Sequence, residues 1–135
     1  VLASSIRESI TKNEPEAALD RLHTYTVKYL RHLCDKHGIF YDKDVPVNSI
    51  LGGYVRFLTE NHMIESEMTR RILKSSIAVL ESFNKVRNDH SLAHDNPILH
   101  YDQSILIFNH VTNAIRFIES IEKRDAQSRK SEDSL

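Results

Sequence analysis

The sequence has little of what cross-linked or metal-braced small proteins use for stability. Its 135 residues include one cysteine, Cys34, so no disulfide can form within the chain and a cysteine-based zinc site lacks ligands. Lys and Arg number 18 against 19 Asp and Glu, which gives a net charge of -1. The large positive excess of histone-like proteins is therefore absent, and any contact with nucleic acid must use a local patch of charge.

Glycine and proline are also scarce, at three each, which predicts long uninterrupted helices. No apolar run approaches the length that crosses a membrane, and no signal peptide opens the chain. We therefore expect no membrane partner and a cytoplasmic location. The chain begins Val1-Leu2-Ala3 without a methionine, as expected of a piece of a longer protein whose remainder could hold a regulatory domain.

Apolar residues recur at three and four along most of the chain, which is the period of an α-helix. Residues 1–12 predict a short helix or the end of a preceding segment, and residues 13–123 predict one helical domain. Residues 124–135 have almost no apolar content and predict a disordered tail. Gly38 is predicted to end one helix and Ser66 to cap another. No alternating strand pattern occurs, so the predicted fold class is all-α.

The strongest helix is predicted from Met68 to Val86, and it carries two apolar stripes. The first stripe consists of Met68, Ile72, Val79, Phe83 and Val86, and the second of Leu73, Ile77 and Leu80. Two stripes make a wide apolar face, which predicts a central place in a bundle. Because so much apolar helical face exceeds the need of a single small bundle, we also expect a homodimer.

The stretch "VRNDHSLAHDN", residues 86–96, crowds hydrogen-bonding and titratable groups directly after that helix. Arg87 follows Leu80 by seven residues, about two helical turns, and His94 follows Arg87 by seven more. A guanidinium beside an imidazole suits an anionic ligand, because Arg binds phosphate in a fork and His moves protons near neutral pH. Capping and turn roles fit the same residues, so the spacing alone leaves both interpretations open.

His90, Ser91 and Asp95 are secondary candidates in the same stretch. His90 and His94 would share a helix face, but the glutamate of the zinc-protease pattern is absent. No nucleophile elbow surrounds Ser91, and we predict neither a metal nor a cofactor. An earlier helix also carries a basic group, for which a solvated surface is the favoured interpretation. Its members are Lys28, Arg31, His32 and Lys36.

The stretch "RNDHSLAH" resembles the motif of the HEPN superfamily, in which an Arg and a polar residue precede a His by a few positions. Arg87, Asn88 and His94 match that motif, with six residues between the Arg and the His. The flanking segments, among them "NEPEAALDRLHTYTVKYLRHLC" and "LIFNHVTNAIRFI", resemble more narrowly the C-terminal domain of bacterial abortive-infection proteins, Abi-C. The likeness covers roughly residues 13–122.

This resemblance implies a HEPN-like helical bundle that pairs into a homodimer, with the two motifs facing one cleft. It also implies a metal-independent endoribonuclease of phage defence, with RNA as its partner. In that chemistry Arg87 holds the scissile phosphate, His94 moves protons during attack by the 2'-hydroxyl, and Asn88 orients them. Some members of the superfamily have lost catalysis, so a non-catalytic module that binds nucleic acid or nucleotides, or that dimerises, is the alternative.

Overall fold

The computed structural model of the chain describes residues 15–90 and 101–133, which form four helices. These are α1 (Pro15–Lys36), α2 (Val47–Glu60), α3 (Glu67–His90) and α4 (Tyr101–Asp133). No strand occurs in the described ranges, so the all-α prediction is confirmed. No described helix is long and apolar enough to cross a lipid bilayer.

Local signals in the sequence set two of the helix ends. Gly38 follows α1 with a φ of +69°, a left-handed conformation that costs glycine little. This turn lets the Ile39 N–H donate to the Cys34 carbonyl at 2.8 Å, as expected at a helix C-terminus. At the start of α3, the Ser66 Oγ accepts a hydrogen bond from the Thr69 N–H at 3.3 Å. The predicted stop and cap are therefore confirmed.

Two buried clusters show how the helices run past one another. The first joins α2 to Leu30 and Leu33 of α1, Leu73 and Ile77 of α3, and Ile118 and Ile121 of α4. The second joins Leu19 and Leu22 of α1, Leu80 of α3, and Phe108, Val111 and Ile115 of α4. Helices α1 and α4 therefore run parallel, with α3 antiparallel to both. We call the end near the second cluster the motif end, because the last turn of α3 lies there.

Among the described side chains of α3, those of one apolar stripe are buried within the chain and those of the other are exposed. Leu73, Ile77 and Leu80 are each at most 4% exposed, and they pack against the other helices. In the other stripe, Met68 is 67%, Ile72 53% and Val79 38% exposed. The central place predicted for this helix is thus correct for one face only, because the other described helices all pack on the same side of it.

Helix α4 continues past the boundary predicted near Lys123 and reaches Asp133. An ion pair between Arg129 Nε and Asp125 Oδ2, 3.2 Å apart at i and i+4, lies on the added turns and supports helix there. Most side chains from Arg124 to Asp133 are exposed. The segment predicted for residues 1–12 lies outside the described residues.

Candidate functional site

The last turn of α3 carries the backbone of three predicted site residues, Arg87, Asn88 and His90. The helix remains regular through His90, so the first part of the polar stretch is helical. At about 100° per residue, Arg87 lies about 20° around the helix from Leu80 and about 80° from Val79. Its helical position therefore lies between the buried stripe and the exposed one. The remaining candidates, Ser91, His94 and Asp95, lie outside the described residues.

His23 of α1 lies close to α3 towards the motif end, and the sequence analysis did not single it out. His23 of α1 is partly buried, and burial lowers its pKa although the Glu81 carboxylate on α3 opposes that shift. A lowered pKa keeps this ring neutral at physiological pH. The signal in the sequence was weak, because His23 directly follows Leu22 of the apolar period and its partner lies 58 positions away.

An exposed apolar face extends over α3 and α4, and we call it the outer face. It consists of Met68, Ile72 and Val79 on α3 with Leu106 and Phe117 on α4. Between the two helices this face holds a groove of about 330 Å³. The groove is lined by Thr69, Ile72, Leu73, Ser76, His110, Asn113, Ala114 and Phe117. Within the described part of the chain, the buried His110 Nε2 has no hydrogen-bond partner.

A carboxylate is buried at the other end of the bundle, where three helices meet. Glu122 of α4 accepts a hydrogen bond from the Tyr54 hydroxyl of α2 at 2.6 Å. The His37 Nε2, just after α1, lies 2.8 Å from both carboxylate oxygens, and its side chain is 1% exposed. The Lys36 Nζ lies 3.1 Å from Oε1. We call these four residues the Glu122 cluster.

The Glu122 cluster stabilises the charged form of its carboxylate. Burial alone would raise the pKa of Glu122, but the hydrogen bonds from Tyr54, His37 and Lys36 outweigh burial and lower it. Burial and the bond to Glu122 raise the pKa of Tyr54, so the phenol remains a donor. Glu122 lies 21 residues along α4 from Tyr101, which is about 30 Å. The cluster therefore lies far from the motif, and it stabilises the packing of α4 against α2 and the end of α1.

Metal-ligand chemistry finds little support among the residues that the structure describes. They contain no group of three or more His, Cys, Asp or Glu side chains placed to hold one ion. Cys34 is a buried free thiol, and burial raises its pKa to about 11. A thiol with that pKa is protonated at neutral pH and is a poor ligand and nucleophile.

Comparison with known proteins agrees with the helical architecture. The chain has no significant match among curated proteins or among solved structures. A family model, Abi_C, described as a HEPN-like domain, matches residues 3–122. This match spans α1, α2, α3 and the polar stretch at residues 86–96, and it ends at Glu122. The chain therefore belongs to the Abi_C family of HEPN-like domains.

Proposed function

We propose that this chain is a metal-independent endoribonuclease domain of a bacterial abortive-infection protein, acting on RNA in the cytoplasm. The observation that carries the proposal is the position of Arg87 and Asn88 on the last turn of α3, in a chain of the HEPN-like family. Arg87 would bind the scissile phosphate, Asn88 would orient the reacting groups, and His94 would move protons.

The proposed reaction uses a nucleophile that RNA itself supplies. The ribose 2'-oxygen attacks the adjacent phosphorus, so a bond from the 2'-oxygen to phosphorus forms while the bond from phosphorus to the 5'-oxygen breaks. The 2'-hydroxyl loses a proton and the leaving 5'-oxygen gains one; His94 carries out one of these transfers and water the other. Arg87 offsets the negative charge that grows on the phosphoryl oxygens. The products are a 2',3'-cyclic phosphate and a 5'-hydroxyl.

Known magnitudes show that such a site can act without a metal. The attacking and accepting atoms belong to one nucleotide, so proximity supplies several kcal/mol of the barrier reduction, up to about 7–11 kcal/mol in well-oriented cases. Proton transfer by a positioned imidazole adds about 10²–10⁴-fold. A charged donor aimed at the phosphoryl oxygens adds a comparable factor of about 10²–10³.

A second copy of the chain is the occupant we propose for the outer face. Exposed positions 68, 72, 75, 79 and 82 of α3 alternate steps of four and three, which is the spacing of a helix–helix seam. Ser75 and Ser82 are the small members of this series, and small residues allow close approach of helices. Because the helical position of Arg87 borders this seam, a two-fold contact near the last turn would set two motifs beside one cleft.

The test is cleavage of mixed cellular RNA in excess EDTA. We expect the unmutated chain to cut RNA there and to leave cyclic phosphate ends. We expect His94→Ala to lose about 10²–10⁴-fold in rate while it remains a folded dimer. Cleavage that stops in EDTA and returns with a divalent ion would contradict the mechanism. A chain that binds RNA and never cuts it would be the non-catalytic module instead.

A further inference from the structure

The basic group that the sequence places on α1 divides into two parts in the structure. Arg31 Nη2 donates to the Lys43 carbonyl at 3.0 Å, and Lys36 pairs with Glu122. These two cations therefore have structural roles. Lys28 and His32 are exposed, and no described residue forms an ion pair with either. They lie three and seven residues after Tyr25, so they share its side of the helix.

Two tyrosines lie beside these cations on the side of α1 that borders α4. The rings of Tyr25 and Tyr29 are nearly parallel, at 8°, with centroids 6.0 Å apart. Both side chains are partly exposed. The Glu119 carboxylate of α4 lies near enough to raise the pKa of both phenols further, after burial. Both rings also pack against the second buried cluster, which includes Ile115 of α4, one turn before Glu119.

The same edge of α4 adds two more cations. Arg116 and Lys123 lie three residues before and four residues after Glu119, so all three share one face of the helix. Arg116 and Lys123 are exposed, and no ion pair engages either within the described part of the chain. We call the surface formed by Tyr25, Tyr29, Lys28, His32, Arg116 and Lys123 the α1–α4 groove. With Glu119 included, its formal charge is +2 when His32 is neutral.

Some surface cations elsewhere on the bundle form ion pairs on their own helix, whereas those of the groove form none within the described residues. At the start of α3, Arg70 and Arg71 both pair with Glu67 on their own helix. On α4, Arg129 pairs with Asp125. Cations that are paired on their own helix have little net attraction for an outside anion, whereas the three cations of the groove outnumber its one carboxylate, Glu119.

The groove also has a useful position relative to the motif and the outer face. Leu22 and Leu80 share a cluster in antiparallel helices. From this level Tyr25 is three residues in one direction and Arg87 is seven in the other, which together make about 15 Å along the bundle. Glu119 and Phe117 are two residues apart, about 200° around α4. A dimer formed through the outer face would therefore leave the groove open.

We propose that the α1–α4 groove binds single-stranded RNA and leads it to the site at the motif end, with bases stacked on Tyr25 and phosphates held by Lys28, Arg116 and Lys123. The proposal rests on the function proposed above and adds the path of its substrate. Aromatic rings between unpaired cations suit single strands, because unpaired bases expose faces that stack on side chains. A duplex keeps those faces covered.

The experiment uses an RNA that the unmutated chain cannot cut. A fluorescein-labelled 2'-O-methyl RNA of about 12 nucleotides lacks the attacking hydroxyl but keeps bases and phosphates. Its anisotropy is titrated with protein at several salt concentrations between about 50 and 200 mM. We expect Lys28→Gln and Lys123→Gln each to reduce the slope of log K against log salt by about 0.7, the value for one single-strand contact.

Matched variants separate the groove from general surface charge. Lys74→Gln removes an exposed cation from α3 and should leave the slope unchanged. Tyr25→Leu keeps apolar volume but removes the ring, and it should weaken binding by about fivefold or more, the lower end for one base stack. Tyr25→Phe keeps the ring and should bind as the unmutated chain does. Melting curves confirm that each variant is folded.

The outcomes distinguish the groove from the nuclease. If the chain cuts RNA in EDTA but the groove variants keep the salt slope of the unmutated chain, RNA binding by the groove is contradicted and the endoribonuclease proposal is supported. If the groove variants lose RNA binding but the unmutated chain never cuts RNA, RNA binding by the groove is supported and the endoribonuclease proposal is contradicted. If the 2'-O-methyl RNA does not bind the unmutated chain, the proposal for the groove is contradicted. It is also contradicted if the matching duplex binds as tightly as the single strand and Tyr25→Leu does not weaken binding.

Discussion

Arg87 contributes to the proposed reaction through the shape of its guanidinium as well as its charge. Arg87→Lys keeps the charge but loses the planar fork that matches a phosphate. We expect its single-turnover cleavage rate in EDTA to fall by about 10²-fold, the lower range for loss of one transition-state donor. His90→Ala is the matched control, because His90 occupies the same last turn but is not one of the residues that define the motif, and it should keep most of the activity.

Folding must be measured together with that rate, because an Arg in the last turn of a helix also stabilises the C-terminus. Circular dichroism and melting curves of Arg87→Lys should match those of the unmutated chain. Full cleavage by folded Arg87→Lys would show that charge alone suffices. Full cleavage by both Arg87→Ala and His94→Ala would remove the catalytic assignment.

Glu122 is the residue whose loss we expect to cost the most stability outside the apolar core. Glu122→Gln removes the charge from a buried carboxylate that three side chains engage, so at least one donor loses its acceptor. We expect the free energy of unfolding to fall by about 2–4 kcal/mol in urea titrations. Glu119→Gln, an exposed change one turn earlier on α4, should lie within about 0.5 kcal/mol of the unmutated chain.

The pH dependence of stability gives an independent check on Glu122. Its pKa in the folded chain is lowered from the usual 4.5, so folding favours the charged carboxylate. The contribution of this group is complete above about pH 4.5 and is lost as the pH falls through the lowered folded value. Glu122→Gln should therefore lose less stability on acidification than the unmutated chain. Equal acid sensitivity in the two would show that Glu122 does not control this response.

At the scale of the helix, α3 provides the sharpest test of the outer face. Ile72 is 53% exposed, so Ile72→Glu should leave the fold of one chain intact while placing a charge in the proposed seam. We expect this variant to sediment as a monomer. Lys74→Glu puts the same side chain on another exposed position of α3 and should remain a dimer. If Ile72→Glu remained a dimer, the interface would have to lie elsewhere on the chain.

The end of α4 offers a test of the predicted tail. Residues 124–133 are helical but contribute no side chain to the buried core. A chain truncated after Lys123 should therefore melt within about 3 °C of the full chain, because surface changes away from packing features cost about 0.5 kcal/mol. A larger drop would show that these turns pack against the body or a partner.

How far the sequence predicts these elements depends on how local the signal is. Gly38 and Ser66 act on their own neighbours, so the helix ends they set were predictable. Helix α4 overruns its predicted end because helix-forming residues and the i,i+4 ion pair between Arg129 and Asp125 sustain a helix that no apolar pattern marks. The exposure of Ile72 was not predictable, since its spacing is as regular as that of the buried Leu73.

The sites divide in the same way. Arg87, Asn88 and His94 lie within eight positions, so a motif could identify them. The partners of Glu122 lie 68, 85 and 86 residues away, and nothing in the local sequence joins them. The one available signal was that Glu122 falls four residues after Ile118, which placed a carboxylate on the buried line of α4.

At the scale of the whole molecule, we expect two copies of the chain in solution. The outer face exposes large apolar side chains to water, and dimerisation through this face would bury them. Sedimentation at micromolar concentration should give twice the mass of the chain, and the melting temperature should rise with protein concentration. A monomer at every accessible concentration would contradict the outer-face interface and a cleft shared by two motifs.

The distance along the chain between Glu122 and its partners has a consequence for synthesis. His37 and Tyr54 leave the ribosome long before Glu122 does, and α1, α2 and α3 alone offer them no such carboxylate in the described structure. A nascent chain that lacks α4 therefore leaves both polar groups without this acceptor and uncovers the apolar residues that α4 buries. The bundle, and any activity built on it, can mature only after translation has passed residue 122.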